Sequence, residues 1–268
     1  MKLIAVSGLK GGVGASSVAA NLTCGFHHLD RKVAIIDLDL RNFIRVYFSM
    51  IMTEGDGWAV RVNQSEDWAL AFYQSPAGVY FLPFGERDRF ASTRDGSNSY
   101  VGSFSDTSSV YKLSESFFSE MLETLAGQFD YVILHLPVVT FSPDHMKLLQ
   151  SLHAAIDLHL VVINPDTACY SILNTQGEKV SQLPKLKLLS NKCFSNSEVS
   201  SDFSFYMKKV WGEALVSNPI HFDEALAEAT ANLQTVGCYS PASLAATEFK
   251  MLALWSIATL TRNEGGYV

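Results

Sequence analysis

Residues 7 to 17, Ser-Gly-Leu-Lys-Gly-Gly-Val-Gly-Ala-Ser-Ser, constrain the fold more than any other stretch of this chain. Before them, Leu3-Ile4-Ala5-Val6 is a short apolar run with strand propensity; after them, Val18, Leu22 and Phe26 recur at helical spacing. A strand, a glycine-rich loop and a helix in that order form a phosphate-binding arrangement. Gly11, Gly12 and Gly14 permit backbone angles closed to other residues, so several N–H groups and the helix N-terminus can converge on one anion. Ser16, on the first helical turn, sets a hydroxyl where it can reach a Mg²⁺ beside the phosphates. The loop is irregular. The usual G-x-x-x-x-G-K-[ST] has a lysine where this chain has Ala15 and a glycine where it has Leu9, while Lys10 opens the glycine run. A plain turn at a strand–helix junction is the alternative, and the matching context on both sides weighs against it.

With 268 residues the chain makes one large domain or two small ones, and 48% hydrophobic residues supply a sizeable core. No apolar stretch reaches membrane-spanning length, and the first residues lack the pattern of a signal peptide. Cys24, Cys169, Cys193 and Cys238 are scattered without a CxxC, which argues against a zinc site or disulfide framework and suits a reducing cytosol. A net charge of −7 disfavours non-specific DNA binding, which needs a basic face.

Val33-Ala34-Ile35-Ile36 reads as a buried parallel strand ending in Asp37-Leu38-Asp39, and strand-end carboxylates lie at the ligand crevice of α/β proteins. Trp58 and Trp68 read as core or interface aromatics, and Val79 to Leu82 as a strand. Residues 86–112 are rich in Ser, Thr, Asn, Asp and Gly and predict a flexible loop, followed by a helix from about Leu113 to Ala126. Tyr131 to Leu136 is a second buried strand of the form that normally ends in a metal-orienting Asp; here that position is His135, read as a strand-end histidine with a local partner. Further strands are expected at Ala155 to Ile163 and Leu186 to Leu189, the latter running into Ser190-Asn191-Lys192. Helices are expected at Glu198 to Trp211, Asp223 to Ala231 and Ala242 to about Thr261, with Pro241 near the start of the last. Alternating strands and helices predict an α/β fold: a doubly wound, mostly parallel sheet flanked by helices, in a single P-loop domain spanning 1–268.

Lys-Gly-Gly-Val-Gly resembles the deviant Walker A of the MinD/ParA family of dimerising ATPases. The resemblance implies that Lys10 reaches across a nucleotide-bridged homodimer, and that Asp39 positions the attacking water. It further implies that Asp37 and Ser16 lie at the metal, and that Asn191 contacts adenine. The implied nucleotide-binding set is Lys10, Gly11, Gly12, Val13, Gly14, Ala15, Ser16, Ser17 and Asn191, with Lys10 and Asp39 catalytic, for ATP or ADP and Mg²⁺.

Within that group the chain resembles the BcsQ/YhjQ family of cellulose-biosynthesis proteins. The matching elements are Gly11-Gly12-Val13-Gly14 followed by a non-lysine, Gly57-Trp58, Asp67-Trp68 and Leu82-Pro83-Phe84-Gly85. Ile220-His221-Phe222-Asp223-Glu224-Ala225, Val236-Gly237 and Ser243-Leu244-Ala245-Ala246 also match. This implies a cytosolic, nucleotide-dependent dimer that helps assemble or localise a bacterial cellulose synthase in the inner membrane, with cytosolic subunits such as BcsR and BcsE. Ala15 and His135 depart from the hydrolytic pattern and favour a nucleotide-bound scaffold with slow or absent turnover. A DNA-partitioning ATPase is disfavoured by charge. An iron–sulfur reductase is set aside because no cysteine falls between Cys24 and Cys169. The last helix offers only Lys250 and Arg262, beside Glu248 and Glu264, so no direct membrane binding is expected and recruitment falls to partners.

Overall fold

The computed structural model describes residues 1–51, 53–86 and 115–262; the Ser-rich stretch at 86–112 lies outside them but for residue 86. Among the described residues seven strands form one sheet: β1 (Lys2–Gly8), β2 (Val33–Asp37), β3 (Tyr73–Gln74), β4 (Tyr80–Leu82), β5 (Tyr131–His135), β6 (Leu158–Ile163) and β7 (Leu186–Ser190). Their spatial order is β3-β4-β2-β5-β1-β6-β7, and every pairing is parallel except β3 with β4. The central strands are buried on both faces, which is why they read as unbroken apolar runs. Register sets Ile4 beside both Ile133 and Leu158, and Asp37 beside His135.

Helix α1 (Ala15–His27) follows the glycine loop and is buried from Val18 to Phe26. It packs against the last helix, Leu244–Arg262. A Cβ on Gly25 would stand 2.9 Å from the Phe249 carbonyl oxygen, so glycine sets the close approach of the two helices. Leu22 and Phe26 on the first helix and Phe249 and Leu252 on the last are all buried, each contributing about 1.5–3 kcal/mol.

The expected elements are present, with two boundary corrections. The last helix begins at Leu244 rather than Ala242, because the Ser243 hydroxyl accepts from the Ala246 amide and caps it; Pro241 lies in the preceding turn. β6 begins at Leu158 rather than Ala155, because the Asp157 carboxylate takes the Leu3 amide and Lys2 and ends the loop there. The β3–β4 hairpin, turned at Gly78 with φ 87°, was not foreseen.

Candidate functional site

The glycine loop leaves β1 at Gly8 and enters α1 at Ala15, with Gly12 and Gly14 at φ 79° and 91°. It is braced from just past the C-terminal end of β7: Asn191 Nδ2 donates to the Val13 carbonyl (2.8 Å), and Lys192 Nζ to the Gly12 carbonyl (2.9 Å). A Cβ on Gly14 would stand 2.5 Å from Asn191 Nδ2, so the brace requires glycine there. Above the loop opens a cavity of about 370 Å³ lined by Gly12, Gly14, Ser16, Arg41, Tyr47 and Lys192, among others. Lys10, Val13, Ala15 and Ser17 also line it; Gly11 is exposed on the loop. Asn191 does not line it: its amide nitrogen is spent on the loop, so in this arrangement it braces Val13 rather than facing a base.

Lys10 Nζ lies 3.0 Å from the Asp166 carboxylate. Asp166 also caps the helix after β6 (Thr167–Ser181), accepting from the Cys169 amide. Burial pushes the Asp166 carboxyl up, but the Cys169 amide and Lys10 outweigh it and hold it below the usual value.

At the β2–β5 end, the His135 ring is buried. Its Nδ1 stands 2.7 Å from Asp37 Oδ1, and its Nε2 3.1 Å from Ser16 Oγ. An ionised Asp37 accepts only, so in the neutral ring Nδ1 carries the proton and Nε2 accepts from the Ser16 hydroxyl. Asp37 takes the Asp39 amide as well (3.0 Å) and the Ile44 amide (3.2 Å), and Trp58 Nε1 donates to its carbonyl (2.7 Å). Mg²⁺ demands near-octahedral oxygen ligands at about 2.0–2.1 Å. Ser16 and Asp37 instead grip the two nitrogens of one ring, an arrangement that fits an imidazole and not a cation between them.

Asp39 is buried and clasped by Arg41, whose Nε lies 3.0 and 3.1 Å from the two carboxylate oxygens and whose Nη2 lies 2.5 Å from Oδ2. Burial alone would raise the Asp39 carboxyl; the Arg41 hydrogen bonds prevail and hold it below the usual value. A carboxylate engaged on both oxygens is a poor water-positioning base. Loop amides, a helix N-terminus and the cations Lys192 and Arg41 around the cavity suit a phosphate chain, while Asp37 and Asp39 are engaged by His135 and Arg41. Arg41, Lys192 and Tyr47 were not singled out from the sequence. The signal for Arg41 and Lys192 is adjacency to the Asp37–Asp39 and Asn191 strand ends; Tyr47 comes from the turn Ile44–Phe48, which residue spacing does not place at the crevice.

The model of the family "Cellulose biosynthesis protein BcsQ" matches residues 1–257. The cellulose biosynthesis protein BcsQ of Salmonella typhimurium is 28% identical over 261 residues, covering 96% of this chain and 94% of the relative. That of Escherichia coli K12 is 27% identical over 262 residues, with the same coverage. Among solved structures, the septum site-determining protein MinD of Pyrococcus horikoshii, complexed with Mg-ADP, superposes with a TM-score of 0.67 at 20% identity, covering 94% of each chain. A ParA family ATPase from Chlorobium tepidum reaches 0.68 at 18% identity, covering 94% of this chain and 97% of that one. The fold is thus that of the MinD/ParA P-loop ATPases, and the match along nearly the whole sequence means that this chain belongs to the BcsQ family of cellulose biosynthesis proteins.

Proposed function

We propose that this chain is a nucleotide-holding, dimerising component of a bacterial cellulose secretion system. It binds ATP or ADP with little turnover and helps assemble or position the inner-membrane synthase with other cytosolic subunits, such as BcsR and BcsE. The observation that supports low turnover is the pair of engaged carboxylates, Asp37 on His135 and Asp39 on Arg41, beside a loop whose cavity side remains lined by glycines. In this reading Mg²⁺ travels on the nucleotide's phosphates without Ser16 or Asp37 as ligands. Its removal by EDTA is expected to change ATP affinity by less than about threefold, whereas His135→Asp introduces a Mg²⁺ dependence of about tenfold or more, one charge-assisted contact being worth roughly 1.5–3 kcal/mol. Equilibrium dialysis with labelled ATP measures both. An EDTA-sensitive parent would defeat the reading.

The dimer depends on Lys10. Its bond to Asp166 is partly exposed, a class worth at most about 1 kcal/mol, so it yields readily to a partner's phosphates. Lys10→Ala is expected to weaken ATP-dependent dimerisation about tenfold or more while changing monomer affinity for ATP by less than threefold, by gel filtration and dialysis together. Dimerisation equal to the parent's would exclude the crossing lysine.

A second reading rests on the order hydroxyl, imidazole, carboxylate at Ser16, His135 and Asp37, which is that of a nucleophile relay. A hydrolase centred on Ser16 would form an adduct with a fluorophosphonate probe; the nucleotide scaffold forms none.

A further inference from the structure

Cys24, one turn before the end of α1, and Cys238, in the short helix Val236–Tyr239, lie far apart in sequence but have their sulfurs 3.8 Å apart. His28, four residues after Cys24, brings Nε2 to 3.6 Å from the Cys24 sulfur. The three donor atoms lie within 4.8 Å of one another. With Zn–S of about 2.3 Å and Zn–N of about 2.0–2.1 Å, a tetrahedral ion sets two sulfurs about 3.8 Å apart and sulfur from nitrogen about 3.6 Å apart. Both measured edges match that figure.

A second feature of the backbone makes room for the cluster. A Cβ on Gly237 would stand 2.9 Å from His28 Cε1 and 3.2 Å from the Cys24 sulfur, so any other residue there would press on both donors. Thr235 Oγ1 donates to the Cys238 sulfur (3.4 Å), the kind of outer contact that orients a ligating thiolate. Cys238 and Thr235 also line a cavity of about 240 Å³, which gives an ion an entry path and leaves room for a water as fourth ligand.

We propose that Cys24, His28 and Cys238 form a binding site for a thiophilic divalent cation of the Zn²⁺ class, distinct from the nucleotide site, that clips the helix leaving the phosphate loop to the Val236–Tyr239 turn. Both cysteines enter as thiolates and release their protons to solvent as the ion binds.

Co²⁺ is the probe, added to the reduced full-length protein. The expected result is a thiolate-to-cobalt charge-transfer band in the near ultraviolet, saturating at one ion per chain and displaced by Zn²⁺. Cys24→Ser and Cys238→Ser each abolish the band. Thr235→Val, which removes only the outer contact, lowers affinity about tenfold, and His28→Ala by at least that factor. Cys193→Ser leaves the band unchanged. Because Cys24 is buried and its variant can fail to fold, the parent supplies an independent measurement: Zn²⁺ should slow alkylation of Cys238 at least tenfold. No charge-transfer band, a band that survives both cysteine substitutions, or alkylation indifferent to Zn²⁺ would each overturn the site.

Discussion

Gly57→Ala is expected to lower the unfolding free energy by more than about 3 kcal/mol, a drop in Tm on the order of 10 °C for a chain of this size. A methyl at Gly57 would fall inside contact distance of Gly85 N and Cα and of the Phe84 carbonyl carbon. All three are backbone atoms, so no side-chain rotamer can relieve the overlap. Gly85, at φ 95°, cannot easily retreat, since its own Cβ position faces Val60 at 2.7 Å. The crossing also carries the bonds from the Trp58 and Ala59 amides to the Pro83 and Phe84 carbonyls, and seats the Trp58 indole on Asp37. Thermal unfolding followed by circular dichroism measures the effect. A Tm within about 2 °C of the parent would mean that this crossing is not close-packed.

Acid is expected to destabilise the protein well above the range where carboxylates titrate. His145 and His159 are both fully buried. Burial holds the His145 ring down at about 4, and burial with the neighbouring His145 holds His159 at about 3, against an ordinary 6.5. His159 Nε2 meets the Ser7 hydroxyl at 2.8 Å, but both His145 nitrogens are without a partner among the described residues. Between 6.5 and those lowered values the unfolded chain binds protons that the folded chain excludes. The stability these groups contribute is thus complete above about pH 6.5 and declines as pH falls toward 4 and then 3. Each proton is worth about 1.4 kcal/mol per pH unit, so from pH 7.5 to 5 the pair costs on the order of 4 kcal/mol. Asp39 and Asp166, held below 3.8, lose their contribution only at lower pH. Urea titrations across that range read the slope, and His145→Leu should remove about half of it. A flat profile from pH 7.5 to 5 would show that the two rings are not excluded from protonation.

The architecture was legible because buried parallel strands leave unbroken apolar runs, and because a glycine loop between a strand and a helix has few other uses. Strand order was not, since runs such as Ala34 to Ile36 and Leu160 to Ile163 carry no mark of their neighbours. Separate sequence signatures proved to be halves of single contacts. Gly57-Trp58 and Phe84-Gly85 form one crossing. Asp223 caps its own helix through the Ala225 amide and also takes the Ala245 amide, while the His221 amide and ring meet Glu248. The candidate site was legible only as a location. Scattered cysteines looked inert, yet two of them meet across the fold. The clasp of Arg41 on Asp39 and the span of His135 between Ser16 and Asp37 depend on side-chain direction, which residue spacing does not record.

The sheet order also bears on biosynthesis. β1 comes early in the sequence, but its two sheet neighbours start at Tyr131 and Leu158, and the loop that leaves it is braced from Asn191 and Lys192. At translation speeds of about 5–20 residues per second, the ribosome takes roughly 10–30 s to supply those partners. Throughout that interval an apolar strand and its glycine loop emerge without walls, and pairing so remote in sequence closes slowly even when complete. A nascent chain halted before residue 163 therefore carries the entire glycine-loop sequence and yet lacks Lys192, which both braces the loop and lines the cavity above it.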